Sequence, residues 1–200
     1  MIHFPDGLRL VLASGSPRRL HLLRELDLDP TVMVPDIDET PLPDESAAAH
    51  VERLARGKCA AVLERIEDSG SGTVVIAADT IVCLDGEILG KPTDRRHAID
   101  DLHRLSGRRH EVMTGLAVAV DGELRSSVET TGVQFADLTT PEIEWYVGTG
   151  EADDKAGSYA MQGRGGLFVT SIDGSYDNVI GLPRRRLSHL MAELGHLLVG

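Results

Sequence analysis

The chain has 200 residues, of which 42% are hydrophobic and 26% charged, values that permit one domain or two small lobes with a packed core. Its 32 acidic against 20 basic side chains leave a formal charge of -12, which disfavours nucleic acid and anionic membrane as partners. With 4% aromatic residues, platforms for stacking single-stranded nucleic acid are scarce as well.

Residues 1–6 lack the basic and then apolar layout of a secretory signal, so a soluble, cytoplasmic protein is expected. Residues 8–13 are a short apolar run that predicts a buried strand. Ser14-Gly15-Ser16-Pro17 follows, and then Leu20, Leu22, Leu23 and Leu26 recur at helical spacing, with Ser16 as N-cap and Pro17 at the first helical position. Residues 36–46 are acidic, contain Pro41 and Pro43, and predict a loop. Residues 47–66 predict a long amphipathic helix with Val51, Leu54, Ala55, Val62 and Ile66 inward. A polar break at 68–72 separates it from a β-branched strand at 73–78, and 80–89 folds back around Asp85-Gly86. Thr93 is the expected cap of a helix with Ala98, Ile99, Leu102 and Leu105 on its apolar face, ended by Gly107. A second hairpin joins 116–120 to 123–135 through Asp121-Gly122, Thr140-Pro141 opens a helix to Val147, residues 158–172 are glycine-rich with strand-like ends, and 187–198 is a closing helix. The order predicts a mixed α/β fold whose strands are too interrupted for a plain doubly wound sheet.

Four segments carry candidate chemistry. The first is Ser14-Gly15-Ser16-Pro17-Arg18-Arg19, where amide groups at a helix start, two hydroxyls and two guanidinium forks suit a phosphate. Arginine in a first helical turn opposes the macrodipole, which makes sense beside a bound anion. It is not a Walker loop, because no Gly-Lys-Ser or Gly-Lys-Thr follows. The second is Asp79 in Ala77-Ala78-Asp79-Thr80: an ionisable side chain ending an apolar strand is costly unless it opens into a site, as a base or a metal ligand. On the preceding loop Asp36 and Asp38 read as solvated, and Glu39 is the candidate second hard-oxygen ligand for a divalent cation. Third, lysine occurs three times, as Lys58, Lys91 and Lys155, although arginine is common. Lys91 stands in Gly90-Lys91-Pro92 and Lys155 in Asp153-Asp154-Lys155-Ala156-Gly157. Fourth, residues 157–166 offer free amides, and Gln162 among them carries donor and acceptor together, enough to read a base edge, while Tyr159 reads as packing. Cys59 and Cys83 lack disulfide-framework or zinc spacing. His103 and His110, and His189 and His196, are expected to face solvent from helices.

Together these segments resemble the Maf family of nucleotide pyrophosphatases. The marks, in order, are Ser14-Gly15-Ser16-Pro17-Arg18-Arg19, Arg53-Leu54-Ala55 leading to Lys58, Ala78-Asp79-Thr80, Gly90-Lys91-Pro92, Leu105-Ser106-Gly107, and Asp154-Lys155-Ala156-Gly157 through Gln162-Gly163. The resemblance implies a single domain over residues 1–200, with a mixed sheet, flanking helices and two lobes around a central cleft, related to the inosine triphosphate pyrophosphatases. It also implies a homodimer and a divalent cation, Mg²⁺ or Mn²⁺. It assigns Asp79 as proton acceptor or metal-linked carboxylate, and places Ser14, Ser16, Arg18, Arg19, Lys58, Lys91 and Lys155 around the phosphates of a nucleoside triphosphate. Arg18, Thr80 and Gln162 match the subgroup that acts on dTTP and UTP; the 7-methyl-GTP subgroup, the alternative, has an aromatic residue, glutamine and glutamate there. A rival of another class is a non-catalytic nucleotide-binding regulator of septum formation, which would not require Asp79. Two departures stand out: Ala152 where proline is frequent, expected to loosen that loop, and Gly57 before Lys58 where glutamate is usual.

Overall fold

The computed structural model describes residues 7–66 and 72–198. The opening residues 1–6 and the predicted polar break, apart from Gly72, lie outside that range. The elements run β1 (Arg9–Ala13), α1 (Pro17–Arg24), β2 (Thr31–Val32), α2 (Ala47–Leu63), β3 (Thr73–Leu84), β4 (Glu87–Leu89), α3 (Arg95–Leu105), β5 (Arg109–Val120), β6 (Glu123–Phe135), α4 (Thr140–Val147), β7 (Val169–Asp173), α5 (Tyr176–Ile180) and α6 (Arg184–Glu193). Single 3₁₀ segments cover Ala156–Ser158 and Arg164–Phe168. The strands form one seven-stranded sheet in the order β2-β1-β3-β5-β6-β7, with β4 paired to β3. β1 is parallel to β2 and β3, whereas β3–β4 and β6–β7 are antiparallel. This is a mixed α/β architecture with flanking helices, as the alternation of elements predicts.

The chain divides into two compact units: Met1–Asp79, Thr114–Glu129 and Gly181–Gly200 make the first, and Thr80–Met113 and Thr130–Ile180 the second. In the first unit, Val11, Ala13, Val75, Ala77, Ala117 and Ala119 meet Ala55, Cys59 and Val62 of α2. Residues 55, 59 and 62 share one helical face, while Val75 and Ala77 alternate onto one face of β3. Small side chains there allow a close approach of helix and sheet. The closest point is Gly115, where a Cβ would lie 2.1 Å from the Val51 carbonyl oxygen. Ser46 caps α2, its Oγ accepting from the Ala49 N–H at 3.2 Å. Burial in this core pushes the Cys59 thiol up to about 12, which leaves it an inert packing group.

In the second unit, Ala98, Leu102 and Leu105 of α3 and Ile143, Tyr146 and Val147 of α4 pack on Val82, Leu84, Val133 and Phe135. Burying each large apolar side chain is worth roughly 1.5–3 kcal/mol. Thr139 and Glu142 form a capping box that starts α4, the Thr139 N–H donating to Glu142 Oε2 at 2.8 Å.

Several expectations need correction. Asp94, not Thr93, caps α3, because its carboxylate accepts from the His97 N–H at 2.8 Å. α2 ends at Leu63 rather than 66, and the last helix spans Arg184–Glu193 rather than 187–198. His103 and His189 are exposed on helices, but His110 is not: it lies in β5, 2% exposed, with Nε2 2.9 Å from the Tyr159 hydroxyl. β5 starts with an exposed–buried–exposed–buried alternation that turns His110 inward. Tyr159 is a packing residue, its ring centroid 4.8 Å from that of Phe135. Ala152 is fully buried in the second core.

Candidate active site

β1 ends at Ala13, which pairs with Ala77 of β3. The chain then leaves the sheet through Ser14-Gly15-Ser16 into α1. β3 instead continues to Leu84, so Asp79 is not at a strand end as its sequence context suggests. It lies just past the end of the β1 ladder, on the same face as Val75 and Ala77 by alternation. That face is the one α2 covers, and the loss of a neighbouring strand opens space for a carboxylate. Asp79 is nonetheless 8% exposed, so it needs a partner.

The partner is Lys58. It is flanked on α2 by the packing residues Ala55 and Cys59, and its Nζ donates to Asp79 Oδ1 at 2.6 Å. The same ammonium lies 2.6 Å from Glu39 Oε1, which reaches in from the acidic loop with its side chain half-exposed. One buried cation thus gathers two carboxylates, and each charge answers the desolvation of the others. Gly57 does not disturb this placement. α2 runs through it unbroken, and Ile37 Cδ1 of the loop stands 3.4 Å from where a Cβ would be, an ordinary contact.

The loop that delivers Glu39 is fixed by residues the sequence alone did not single out for a role. Arg53 forks onto Glu45, Nε to Oε1 at 2.6 Å and Nη2 to Oε2 at 2.8 Å, and Nη2 also donates to the Thr40 carbonyl at 3.1 Å. His50 Nδ1 lies 2.9 Å from the same carboxylate. The Arg53 guanidinium holds the Glu45 carboxyl far below the usual carboxylate range. Asp36 and Asp38 are exposed, as expected, and Asp38 accepts from the Thr40 N–H at 2.9 Å.

Across the β1–α1 turn, Ser14 is buried and its Oγ accepts from the Ser16 N–H at 3.1 Å and from Arg19 Nη1 at 3.0 Å. Ser16 takes the N-cap position without a side-chain capping bond. Arg19 also donates from Nε to the Gly181 carbonyl at 2.8 Å. Burial lowers its pKa, against the opposing pull of Asp79 and Glu39. Arg18 is half-buried beside it. Ser14, Arg19, Glu39, Lys58 and Asp79 therefore belong to one electrostatic cluster in the first unit.

Thr80 follows Asp79 directly and, by strand alternation, presents its side chain to the opposite face. It opens the second unit, which holds the remaining candidates. There the Gly157 N–H donates to the Gly90 carbonyl at 3.0 Å, which brings the Lys91 and Lys155 loops side by side. Gly157 has φ +62, and a Cβ there would overlap Val82. Lys155 donates to Asp154 and is largely buried; Lys91 is exposed. Asp101 on α3, an acid 2% exposed, accepts from Ser158 Oγ at 2.7 Å and anchors the same loop. Its place on the apolar face of α3, three residues after Ala98, was the visible signal for it. Gln162 is half-buried on the glycine-rich loop.

The two carboxylates around Lys58 bear on metal binding. Among the described residues no group of three or more His, Cys, Asp or Glu side chains converges. Asp79 and Glu39 do supply two hard oxygens already directed at one cationic centre. That donor set fits Mg²⁺ or a similar ion, which takes one or two carboxylates and fills its shell with phosphate oxygens and water.

The buried lysine between carboxylates, beside a serine–arginine turn at a strand end, stands on a mixed α/β scaffold. The scaffold itself has a solved counterpart: the Staphylococcus aureus Ham1 protein superposes with a TM-score of 0.51, covering 94% of this chain and 98% of that one at 18% identity. A family profile described as Maf-like protein matches residues 9–194, and the chain belongs to that family. A relative named dTTP/UTP pyrophosphatase from Symbiobacterium thermophilum is 47% identical over 94% of this chain and 95% of its own. A protein of the same name from Anaeromyxobacter dehalogenans is 50% identical over 94% of each. Among the described residues no helix is long and apolar enough to cross a membrane.

Proposed function

We propose that this chain is a nucleoside triphosphate pyrophosphatase acting on dTTP and UTP. Water attacks the α-phosphorus, a new O–P bond forms, and the bond to the β-phosphate bridging oxygen breaks, giving the nucleoside monophosphate and pyrophosphate. The observation that carries the reading is the Lys58 ammonium held 2.6 Å from both Asp79 and Glu39, beside the Ser14–Arg19 turn. The names of the relatives, at 47% and 50% identity, supply the substrate.

In this reading Asp79 takes the proton of the attacking water, and Lys58 holds that carboxylate in place. Ser14, Ser16, Arg18 and Arg19 bind phosphate oxygens with hydroxyl, amide and guanidinium donors. Lys91 and Lys155 bind phosphate oxygens and balance the charge that moves onto the leaving pyrophosphate. Asp79 and Glu39 would hold the divalent cation, which when bound adds positive charge to the phosphates and acidifies water. Gln162 meets the base: one carbonyl and one amide match the alternating edge of uracil or thymine. Arg18 and Thr80 complete the subgroup signature. We assign a homodimer on the family resemblance, and light scattering should return the mass of two chains.

The test is pyrophosphate release from a panel of nucleoside triphosphates with and without Mg²⁺ or Mn²⁺. Metal-dependent release from dTTP and UTP above purine triphosphates is expected. Release of orthophosphate, or a preference for 7-methyl-GTP, would overturn it.

A further inference from the structure

Gln162 sits on a loop, between two glycine-containing turns, yet a side chain that reads a base edge must be held within roughly half an ångström. The hydrogen bonds around it supply that constraint. The Ala160 N–H donates to the Tyr146 hydroxyl oxygen at 3.0 Å. The Glu151 carboxylate adds its negative charge beside that hydroxyl. Glu151 accepts from the Gly165 N–H through Oε1 at 3.1 Å and from the Arg164 N–H through Oε2 at 3.2 Å. Residues 160 and 164 bracket Gln162 on either side, so one Tyr–Glu pair ties down both ends of its loop.

The pair is itself rigid. Tyr146 is fully buried on α4, edge-on to Phe168 with ring centroids 5.1 Å apart. The Glu151 N–H donates to Thr149 Oγ1 at 3.3 Å, and that hydroxyl donates to the Tyr146 carbonyl at 2.7 Å. Nor does the loop have slack against them. Gly163 has φ +130, and a Cβ on it would stand 2.7 Å from Glu151 Oε1. A Cβ on Gly165 would stand 2.6 Å from the Ala160 carbonyl oxygen and 3.0 Å from the Tyr146 hydroxyl. With two backbone donors already on it, the Glu151 carboxylate is an anchor rather than a base or a metal ligand.

We propose that Tyr146 and Glu151 are positioning residues for substrate choice: they fix Gln162 where it meets the nucleobase, without touching the substrate themselves. This rests on the reading that Gln162 contacts the base, and the experiment separates the two. It compares kcat/KM for UTP and CTP, which differ at the base edge a glutamine would read, in wild type, Gln162→Ala, Tyr146→Phe, Glu151→Ala, the milder Glu151→Gln, and the Tyr146→Phe/Gln162→Ala double variant. Thermal unfolding checks each fold.

Gln162→Ala should cut the UTP-over-CTP ratio by roughly tenfold or more, as expected for an unpaired polar edge. Tyr146→Phe and Glu151→Ala should lower the same ratio, with the loss in KM for UTP, and Glu151→Gln should lie between them and wild type. The double variant should fall no further than Gln162→Ala alone, because both changes act through one contact. A purely structural role would lower activity on both nucleotides together. If Gln162→Ala collapses the ratio while folded Tyr146→Phe and both Glu151 variants stay within about twofold of wild type, the clamp is wrong and the base reading stands. A ratio that survives Gln162→Ala overturns the base reading, and the clamp with it.

Discussion

Gly115→Ala tests whether the packing of α2 on the sheet sets the chemistry. The new methyl group would lie 2.1 Å from the Val51 carbonyl oxygen, 2.3 Å from its carbonyl carbon and 2.8 Å from the Glu52 nitrogen. All three are backbone atoms of a helix, so no rotamer change relieves the overlap. Restoring a van der Waals distance of about 3.5 Å requires α2 to lift by roughly 1 Å or more. Overpacking of this kind costs about 1–3 kcal/mol, and for a chain of this size each kcal/mol lowers Tm by roughly 2–4 °C. Lys58 rides on the same helix, seven residues after Val51, and its 2.6 Å contact with Asp79 would be lost. A misplacement of about 1 Å can cost up to roughly a hundredfold in rate. The assay pairs thermal unfolding with kcat/KM on UTP. Unchanged Tm and turnover would refute the close approach. Lower stability with full kcat/KM would show that Lys58 does not depend on where α2 packs.

Three further outcomes are expected. Lys91→Ala and Lys155→Ala should each lower kcat/KM by roughly tenfold to a hundredfold, the worth of a charge-assisted phosphate contact. Arg184→Ala and Arg186→Ala should barely matter, because those side chains pair with Glu25 and Glu129 at 2.8 and 3.0 Å; equal losses at both groups would show a diffuse rather than focused charge. Gln162→Glu puts a carboxylate against pyrimidine carbonyls and should cut kcat/KM for dTTP and UTP at least about tenfold. Paired with changes at Arg18 and Thr80, it should raise relative activity on 7-methyl-GTP, and an unchanged ranking of the three nucleotides would contradict the assignment. Burial holds the His110 imidazole at about 4 against an ordinary value of 6.5. Below the ordinary value the unfolded chain takes a proton that the fold refuses, so stability falls from pH 6.5 toward 4, by an order of 3 kcal/mol in full. In urea titrations across that range His110→Gln should flatten the slope relative to wild type, and parallel curves would refute the burial of a neutral ring.

Much of this architecture is legible because its signals are local. Asp85-Gly86 and Asp121-Gly122 supply the positive φ angles of tight hairpin turns, and Thr140-Pro141 marks the start of α4 where it occurs. The Ser14–Arg19 turn was readable from composition, and so was the scarcity of lysine. What escaped depends on partners distant in sequence, or on patterns that mix polar and apolar residues. Asp79 looked like a strand end because its charge interrupts an apolar run, whereas it is the neighbour β1 that ends there. His110 opens β5 as an inward residue in a period-two pattern whose outward members are Arg109 and Glu111, so no apolar periodicity announced it. β2 and α5, with 2 and 5 residues, are too short to carry a periodic signal. Arg53 stood among the family marks, but its pairing with Glu45 needs the loop to fold back onto α2 and left no local signal.

The most direct measurement is the yield of UMP and pyrophosphate from UTP with Mg²⁺, for wild type and for Asp79→Asn shown by circular dichroism to be folded. Asparagine keeps the shape and a hydrogen-bond acceptor for Lys58 but cannot take a proton from water. Pyrophosphate is the expected wild-type product, with a loss of kcat of roughly 10²- to 10⁴-fold in the variant, the usual contribution of a positioned base. Near-normal turnover in folded Asp79→Asn, or orthophosphate as the wild-type product, would contradict this expectation.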